Sequence, residues 1–294
     1  MKKWVKFGGA VLFSLVLGAC SNQNSEGENT ADDATHKVGV VGDVEREVWE
    51  DVADRLKDKE GIDLEVVVFD DYVQPNNGLS DGSLDLNAFQ HLAFLNDYVS
   101  GSDKEITPVG YTYVSPMAAY ANDLDDINEI KENAKVIIPN DATNSGRALL
   151  LLESAGLIEV NDDAGITPSV DDIEKNDKNL DIEEVDAAQV PRSLDDADVV
   201  IANTNYAVDF GLNPHDDGIY VDTDDLSQVG AQYKCVIAVQ PEDKDADWVK
   251  KVVAEYQSPE TEEKIKEVTD GADDKAWSDN DNIAEDFAKI QENN

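Results

Sequence analysis

The amino-acid sequence predicts a two-lobed α/β fold with a ligand cleft between the lobes. Short apolar segments of strand character alternate with segments whose apolar residues follow helical spacing, which is typical of mostly parallel α/β units. An extended segment rich in Tyr, Val and Pro, residues 109–120, separates two such blocks. The chain then returns to the first block near residues 229–236. Two crossings between two lobes would form a hinge beside a cleft.

The first block contains three predicted strands and two predicted helices. The strands are at residues 38–41, 64–69 and 84–86, and the helices are at residues 44–56 and 92–99. The first helix is the clearest of these elements, because its apolar residues recur at the three- and four-residue spacing of one helix face.

The second block repeats this alternation, and the chain then ends with a strand and two helices. Strands are predicted at residues 135–138, 180–185, 199–202 and 235–239, and helices at residues 145–155, 246–256 and 259–268. We therefore predict a first lobe made of residues 37–115 and 236–294, and a second lobe made of residues 116–235.

The N-terminus has the features of a secretory signal peptide over residues 1–19. Its first six residues carry three lysines and no acid, and the next thirteen are almost wholly apolar. Thirteen residues are too few to span a bilayer, which needs about 20. The run Leu17-Gly-Ala-Cys20 resembles a bacterial lipobox, which implies an acylated Cys20; an ordinary signal peptide with a chance cysteine is the alternative. Residues 20–36 are predicted to be a flexible tether.

The charge balance is strongly acidic, with 65 Asp and Glu against 23 Lys and Arg and a net charge of −42. This excess argues against nucleic acid and anionic membrane surfaces as partners. A surface adapted to high salt and calcium binding are two explanations for the acids. We favour the salt-adapted surface, because no stretch combines the alternating oxygen ligands, the glycine and the closing Glu of a calcium loop.

Signals for catalysis, metals and cofactors are poor. The three histidines do not stand at metal-ligand spacing, and no nucleophile elbow, phosphate loop or dinucleotide fingerprint is present. We therefore expect neither an enzyme nor a cofactor. With Cys20 acylated, Cys235 has no partner for a disulfide, and by default it would be a small buried apolar residue.

Three polar or aromatic segments are candidates for a small-molecule site. Residues 138–147 run from a strand into a helix and place Asn144 and Arg147 near a helix N-terminus, which suits an anion; a helix cap with a surface arginine is the alternative.

The second candidate segment is aromatic, and the third is rich in asparagine. Tyr72, Phe89, His91 and Phe94 are expected on loops after strands, where they would line an apolar pocket unless they belong to the core. Asn203 follows a strand, where its amide suits an amino-acid backbone unless it belongs to an ordinary turn.

At these segments the chain resembles the methionine-binding lipoprotein family of ABC importers, the MetQ/NlpA type. The matching runs are Asp71-Tyr-Val-Gln-Pro-Asn76, Asn87-Ala-Phe-Gln-His91, Ile138-Pro-Asn-Asp-Ala-Thr-Asn144, Gly146-Arg-Ala-Leu-Leu-Leu-Leu-Glu153, Asp186-Ala-Ala-Gln189, and Asn203 with Tyr206. They occur in the expected order over most of residues 37–270. The resemblance implies a periplasmic-binding-protein fold whose two lobes close on a ligand.

The resemblance also implies roles for the matched residues. Arg147 would pair with the ligand carboxylate, and Asn203 would contact the polar backbone end of the ligand. The side-chain pocket would be walled by Tyr72, Phe89 and His91. Phe94 stands where the family commonly has Tyr, so the pocket is expected to be drier.

Cys235 is the main departure from the family pattern. The family often has an Asn after Tyr-x in the returning strand, and this chain has Tyr233-Lys-Cys235. A thiol does not replace an amide at an amino or carboxylate group. The resemblance makes methionine the first expected ligand. The departure at Cys235 makes another amino acid or a short peptide the alternative. A surface interaction lipoprotein that has lost transport is the alternative function.

The resemblance and the lipobox together imply partners and a location. We expect a small amino acid as ligand, an ABC permease with its ATPase as partner, and a monomeric chain. The lipid anchor would hold the protein at the outer, extracytoplasmic face of the cell membrane.

Overall fold

The computed structural model describes residues 35–223 and 225–292. The predicted signal peptide, the acylated Cys20 and most of the predicted tether lie outside the described residues. Strand β1 (His36–Val41) begins at the last residue of the predicted tether.

Strands and helices alternate through the first third of the described chain. After β1 they are α1 (Gly42–Glu60), β2 (Leu64–Phe69), α2 (Gln74–Asp81), β3 (Leu86–His91), α3 (Leu92–Gly101) and β4 (Thr107–Tyr111).

Strands dominate the middle third. Its elements are β5 (Tyr113–Val114), β6 (Met117–Tyr120), β7 (Lys135–Pro139), α4 (Ala142–Ser154), β8 (Glu159–Val160), β9 (Ile173–Lys175), β10 (Asp181–Val185), β11 (Val199–Asn203), α5 (Thr204–Phe210) and β12 (Tyr220–Val221).

The last third is mostly helical. Its elements are β13 (Cys235–Val239), α6 (Asp247–Tyr256), α7 (Pro259–Val268), β14 (Asp274–Lys275) and α8 (Ile283–Glu292).

The first lobe is built on a five-stranded sheet with the order β2-β1-β3-β13-β4. β1 pairs in parallel with β2 and β3, whereas β13 runs antiparallel to both of its neighbours. Helix α1 covers this sheet with a stripe of fully buried residues at helical spacing, including Trp49, Val52 and Leu56. Burial of each such side chain contributes roughly 1.5–3 kcal/mol.

The second lobe is built on a five-stranded sheet with the order β10-β7-β11-β6-β12. β7 pairs in parallel with β10 and β11, whereas β6 runs antiparallel to β11 and β12. Helix α4 packs Leu149 and Leu152 into the core of this lobe, against Val136 and Ile138 of β7. The two sheets and the alternation of strands with helices confirm the predicted two-lobed α/β fold.

The chain crosses between the two sheets in two places. It leaves β4, forms the short β5 and enters the second sheet at β6; it returns between β12 and β13. After each crossing the chain enters a strand that is antiparallel to the other four strands of its sheet. This strand is β6 in the second sheet and β13 in the first. The exact lobe boundaries stay a prediction, although β13 already begins at Cys235, which we assigned to the second lobe.

The predicted third strand is wrong in position and length. We expected residues 84–86, and β3 spans Leu86–His91 with all six residues buried. A strand that is covered on both faces does not alternate between polar and apolar residues. Its Asn87 and Gln90 are satisfied by Asn76 of α2, whose Oδ1 atom accepts hydrogen bonds from them at 2.8 and 2.7 Å.

Within residues 35–223 and 225–292, no helix is long and apolar enough to cross a membrane. The same part of the chain contains no group of three or more His, Cys, Asp or Glu side chains placed to hold a metal ion.

Candidate functional site

A cavity lies between the two sheets. Its lining comes from the end of β3, the loop after β2, the beginnings of α4 and α5, and both crossing segments. The ends of β3 and β11 are carboxyl ends of parallel strands, where ligands of open α/β sheets bind.

The structure brings all the predicted ligand-binding residues together around this cavity. They are Tyr72, Phe89, His91, Phe94, Asn144, Arg147, Asn203 and Cys235. Seven residues outside the predicted set complete the lining: Gln90, Tyr113, Ser115, Pro116, Thr204, Asn205 and Tyr233. The function of the predicted set in binding stays a prediction.

Tyr72, Phe89 and Phe94 form an aromatic wall on one side of the cavity. Their ring centroids are 5.8–5.9 Å apart in each pair, within the range of favourable aromatic contacts. The expectation that Phe89 lies on a loop is wrong, because Phe89 lies inside β3. The wall is thus held by a central strand, by the first turn of α3 and by the segment after β2.

His91 is the last residue of β3 and caps helix α3, so the expected loop position is wrong for this residue too. Its Nδ1 atom accepts a hydrogen bond from the backbone N–H of Phe94 at 3.1 Å. The ring proton therefore lies on Nε2, which is 3.3 Å from Oδ1 of Asn144. Burial and the nearby charge of Arg147 lower the pKa of His91 to about 4, so the imidazole is neutral at pH 7.

Hydrogen bonds link Asp141 to Asn144 and Asn144 to Asn203, and both asparagines line the cavity. Nδ2 of Asn144 donates to the Asp141 carboxylate at 3.0 Å, which turns Oδ1 of Asn144 toward Nδ2 of Asn203 at 2.8 Å. Oδ1 of Asn203 is then buried with no hydrogen-bond partner among the described residues. The cavity therefore contains an oriented acceptor, which suits an ammonium group.

The expected anion site at the N-terminus of α4 is wrong in one respect. Helix α4 begins at Ala142, three residues earlier than predicted, and the side chain of Asp141 accepts the backbone N–H of Asn144 at 3.0 Å. This carboxylate cap occupies the helix end that we assigned to a ligand anion. The positive charge of the cavity comes from Arg147 alone among the lining residues.

Arg147 is only 5% exposed and is fixed from three sides. Its Nε atom donates to Oδ2 of Asp222 at 2.7 Å, and Nη2 donates to the carbonyl of Ser115 at 2.9 Å. Its Cζ atom lies 4.5 Å from the ring centroid of Tyr233, a cation–π contact. A guanidinium has five N–H donors, so three remain for a ligand carboxylate.

Tyr233 and Cys235 come from the returning segment and close the cavity near Arg147. The hydroxyl of Tyr233 is buried without a hydrogen-bond partner among the described residues. Cys235 pairs with His91 across β13 and β3, and burial raises the pKa of its thiol, so the thiol is neutral. Cys235 is also a free cysteine.

Hydrogen bonds from one lobe to the other hold the cleft closed around the cavity. The hydroxyl of Tyr72 donates to Oδ1 of Asn205 at 2.6 Å, and the hydroxyl of Tyr206 donates to the carbonyl of Asp70 at 3.2 Å. The structure therefore describes the closed arrangement of the two lobes.

The neutral state of His91 predicts a pH-dependent stability. Between its ordinary pKa of 6.5 and about 4, the unfolded chain binds a proton at this residue that the folded chain does not. The free energy of unfolding should therefore fall on acidification through this window, by about 3 kcal/mol at pH 4, and be unaffected above pH 6.5.

The measurement is urea unfolding of the wild type and of His91→Gln from pH 7.5 to pH 4.5. The difference in stability between the two proteins should change by about 2.5 kcal/mol over that range. Asp273, whose pKa burial raises to about 7, contributes a slope of opposite sign, but it cancels because both proteins carry it. Parallel pH profiles would contradict the neutral imidazole.

Comparisons with known proteins are consistent in family and fold. The family model described as NlpA lipoprotein matches residues 37–277. D-methionine-binding lipoprotein MetQ of Salmonella typhimurium is 41% identical over 271 residues, which cover 92% of this chain and 96% of the relative. A nutrient-binding protein from Burkholderia cenocepacia, solved bound to methionine, is 41% identical with a TM-score of 0.79, covering 83% of this chain and 100% of that one. A Staphylococcus aureus protein, PG110, is 35% identical with a TM-score of 0.82, covering 87% and 100%.

Proposed function

This chain belongs to the NlpA lipoprotein family, and from that premise we propose that it is the substrate-binding lipoprotein of an ABC importer. It captures methionine, or a closely related amino acid, by closing its two lobes around the ligand. It acts by binding and not by catalysis.

The observation that carries this proposal is the arrangement of three kinds of group around one cavity. Arg147 offers three N–H donors to a carboxylate, and Oδ1 of Asn203 offers an acceptor to an ammonium group. The aromatic wall faces the same space and suits an apolar side chain. A thioether against aromatic rings gains about 0.3–1.5 kcal/mol per contact. Together these groups match an amino-acid zwitterion with an apolar side chain.

Lobe closure supplies the mechanism. The lining comes from both lobes, so a ligand makes its full set of contacts only in the closed arrangement. A ligand that binds the closed state more tightly than the open state shifts the population toward closure. The closed form is then the one presented to the permease.

We also propose how the protein is anchored and which partners it has. Acylation of Cys20 would tether the protein to the outer face of the cell membrane, since two acyl chains suffice for stable anchoring. Its partners are an ABC permease with its ATPase, and the receptor acts as a monomer. The tether predicted at residues 20–36 would let the two lobes reach the permease.

A melting-temperature screen tests the proposed function. The full-length chain is purified in detergent, unfolded and refolded to remove carried-over ligand, and heated with each of the 20 amino acids, D-methionine and short peptides. A ligand that binds only the folded state raises the melting temperature with its concentration. Methionine should give the largest rise. No rise with any amino acid or peptide would contradict the proposal.

Cys235 favours a second candidate ligand class, another amino acid or a short peptide. Its thiol lines the cavity, at a position where the resemblance to the family implies an amide. A ligand whose polar end needs no amide at this position would lose nothing from the change, whereas an unpaired polar group costs about 1–3 kcal/mol. The screen separates the two candidates by the order of the melting-temperature shifts.

The acidic surface predicts a salt-dependent stability. With 65 acidic and 23 basic residues, repulsion among exposed carboxylates opposes folding, and dissolved ions screen it. The melting temperature should rise steeply as NaCl increases from near zero to about 0.5 M. Sucrose at equal osmolality is the control and should lack the steep early rise. An unchanged melting temperature would contradict the salt-adapted surface.

A further inference from the structure

We propose that Asp209 is a positioning residue that stabilises the closed state by capping helix α1 from the opposite lobe. It lies at the end of α5 in the second lobe and does not line the ligand cavity. The proposal rests on the proposed function, because lobe closure on an amino acid is the step that Asp209 would stabilise.

Helix α1 begins without a cap of its own. It follows β1 directly, and the residue at its N-cap position is Val41, whose side chain has no acceptor. The backbone N–H of Asp43 donates to Oδ2 of Asp209 at 3.0 Å, and that of Val44 approaches Oδ1 at 3.3 Å. One carboxylate thus satisfies two N–H groups at the positive end of a 19-residue helix.

The backbone at Gly42 is shaped for this contact. Gly42 has φ of +87°, a conformation that L side chains rarely adopt. A Cβ atom at this position would lie 2.3 Å from Oδ2 of Asp209, so only glycine leaves room for the carboxylate. The close approach requires both lobes, since α1 packs on the first sheet and α5 follows β11 of the second.

The consequence is that part of the stability of α1 depends on closure. When the lobes separate, the N–H groups of Asp43 and Val44 lose their acceptor and donate hydrogen bonds to water instead. Asp209 should therefore slow the release of the ligand without touching it. Closure by the ligand and capping of α1 become coupled events.

The test compares Asp209→Ala, Asp209→Asn and wild type as full-length proteins in detergent, with methionine or whichever amino acid of the screen the wild type binds. Asp209→Ala should raise the dissociation rate and Kd about fivefold, the factor that corresponds to a typical N-cap contribution. Asp209→Asn keeps one carbonyl acceptor and should fall between. Asp126→Ala is the matched control, because Asp126 caps the turn Ile127–Glu129 within one lobe. It should leave both values unchanged.

Two readouts separate this role from a merely structural one. The melting temperature without ligand should be equal in wild type and Asp209→Ala, because the open form lacks the contact. The amides of Asp43 and Val44 should gain protection from hydrogen exchange when ligand is added to the wild type, and much less in Asp209→Ala.

An unchanged dissociation rate in Asp209→Ala would overturn the proposal, and so would an equal loss of melting temperature with and without ligand. A wild type that binds no amino acid or peptide would instead contradict the proposed function itself.

Discussion

Replacing Arg147 by alanine should weaken methionine binding by about 2–5 kcal/mol, or roughly 30- to 4,000-fold in Kd. The guanidinium is the single cation that lines the cavity among the described residues, and it is held at 2.7 Å from Asp222 and 2.9 Å from the carbonyl of Ser115. A ligand carboxylate would meet a donor that is already oriented, so little entropy is lost on binding. Titration calorimetry of the wild type and the variant measures the difference.

Two further variants sharpen this prediction. Arg147→Lys keeps a positive charge beside Asp222 but loses the planar two-pronged donor, so its Kd should lie between those of wild type and Arg147→Ala. Arg192→Ala removes an exposed arginine that does not line the cavity and is the matched control. Removal of Arg147 also leaves the carboxylate of Asp222 without its partner, so folding must be verified by the melting temperature of each variant. An Arg147→Ala protein that is folded and binds as tightly as wild type would contradict the site.

Replacing Cys235 by asparagine should tighten methionine binding by about 1–2 kcal/mol, or roughly 5- to 30-fold in Kd. Cys235 lies at the start of β13, lines the cavity and carries a neutral thiol, which is a weak donor and a weak acceptor. An amide of similar size would add a strong donor and a strong acceptor beside the polar end of the ligand.

The control for this substitution is Cys235→Ala, which removes the thiol without adding an amide and should leave Kd within a factor of three. Weaker methionine binding in Cys235→Asn would contradict the idea that this position faces the polar end of the ligand. It would instead favour a ligand class for which the thiol is suited.

The fold class could be predicted because alternation of strands and helices is a local pattern. Helix α1 was clear from the spacing of its buried residues, and the short apolar strands stood out between polar segments. The position of β3 could not be predicted, because its buried Asn87 and Gln90 look like loop residues until Asn76 is brought beside them by the fold. Helix α2 was also missed, since its Pro, Asn and Gly residues have low helix propensity.

The candidate site was predictable where its residues form compact motifs. Asn144 and Arg147 lie on one helix, and Phe89 and His91 lie on one strand. The Asp141 cap agrees with the helix cap that we gave as the alternative for this segment, since Asp is a favoured N-cap residue directly before a helix. Tyr113 and Ser115 carry no motif, and they reach the cavity because the first crossing segment passes beside it.

The pairing of Arg147 with Asp222 shows most clearly which contacts cannot be predicted from the sequence. The two residues are 75 positions apart, and no local pattern relates them. Only the path of the chain through β6 and β12 brings the carboxylate to the guanidinium. The same holds for Asp209 and the start of α1, which are joined only when the two lobes meet.

Titration calorimetry of the refolded full-length protein with L-methionine at high salt tests most directly whether this chain is a methionine receptor. We expect one-to-one binding with a Kd in the micromolar range or tighter. Binding of another amino acid or a short peptide in place of methionine would keep the receptor and change its ligand. Absence of heat with methionine, with the other amino acids and with short peptides would contradict the account and favour a surface lipoprotein that has lost transport.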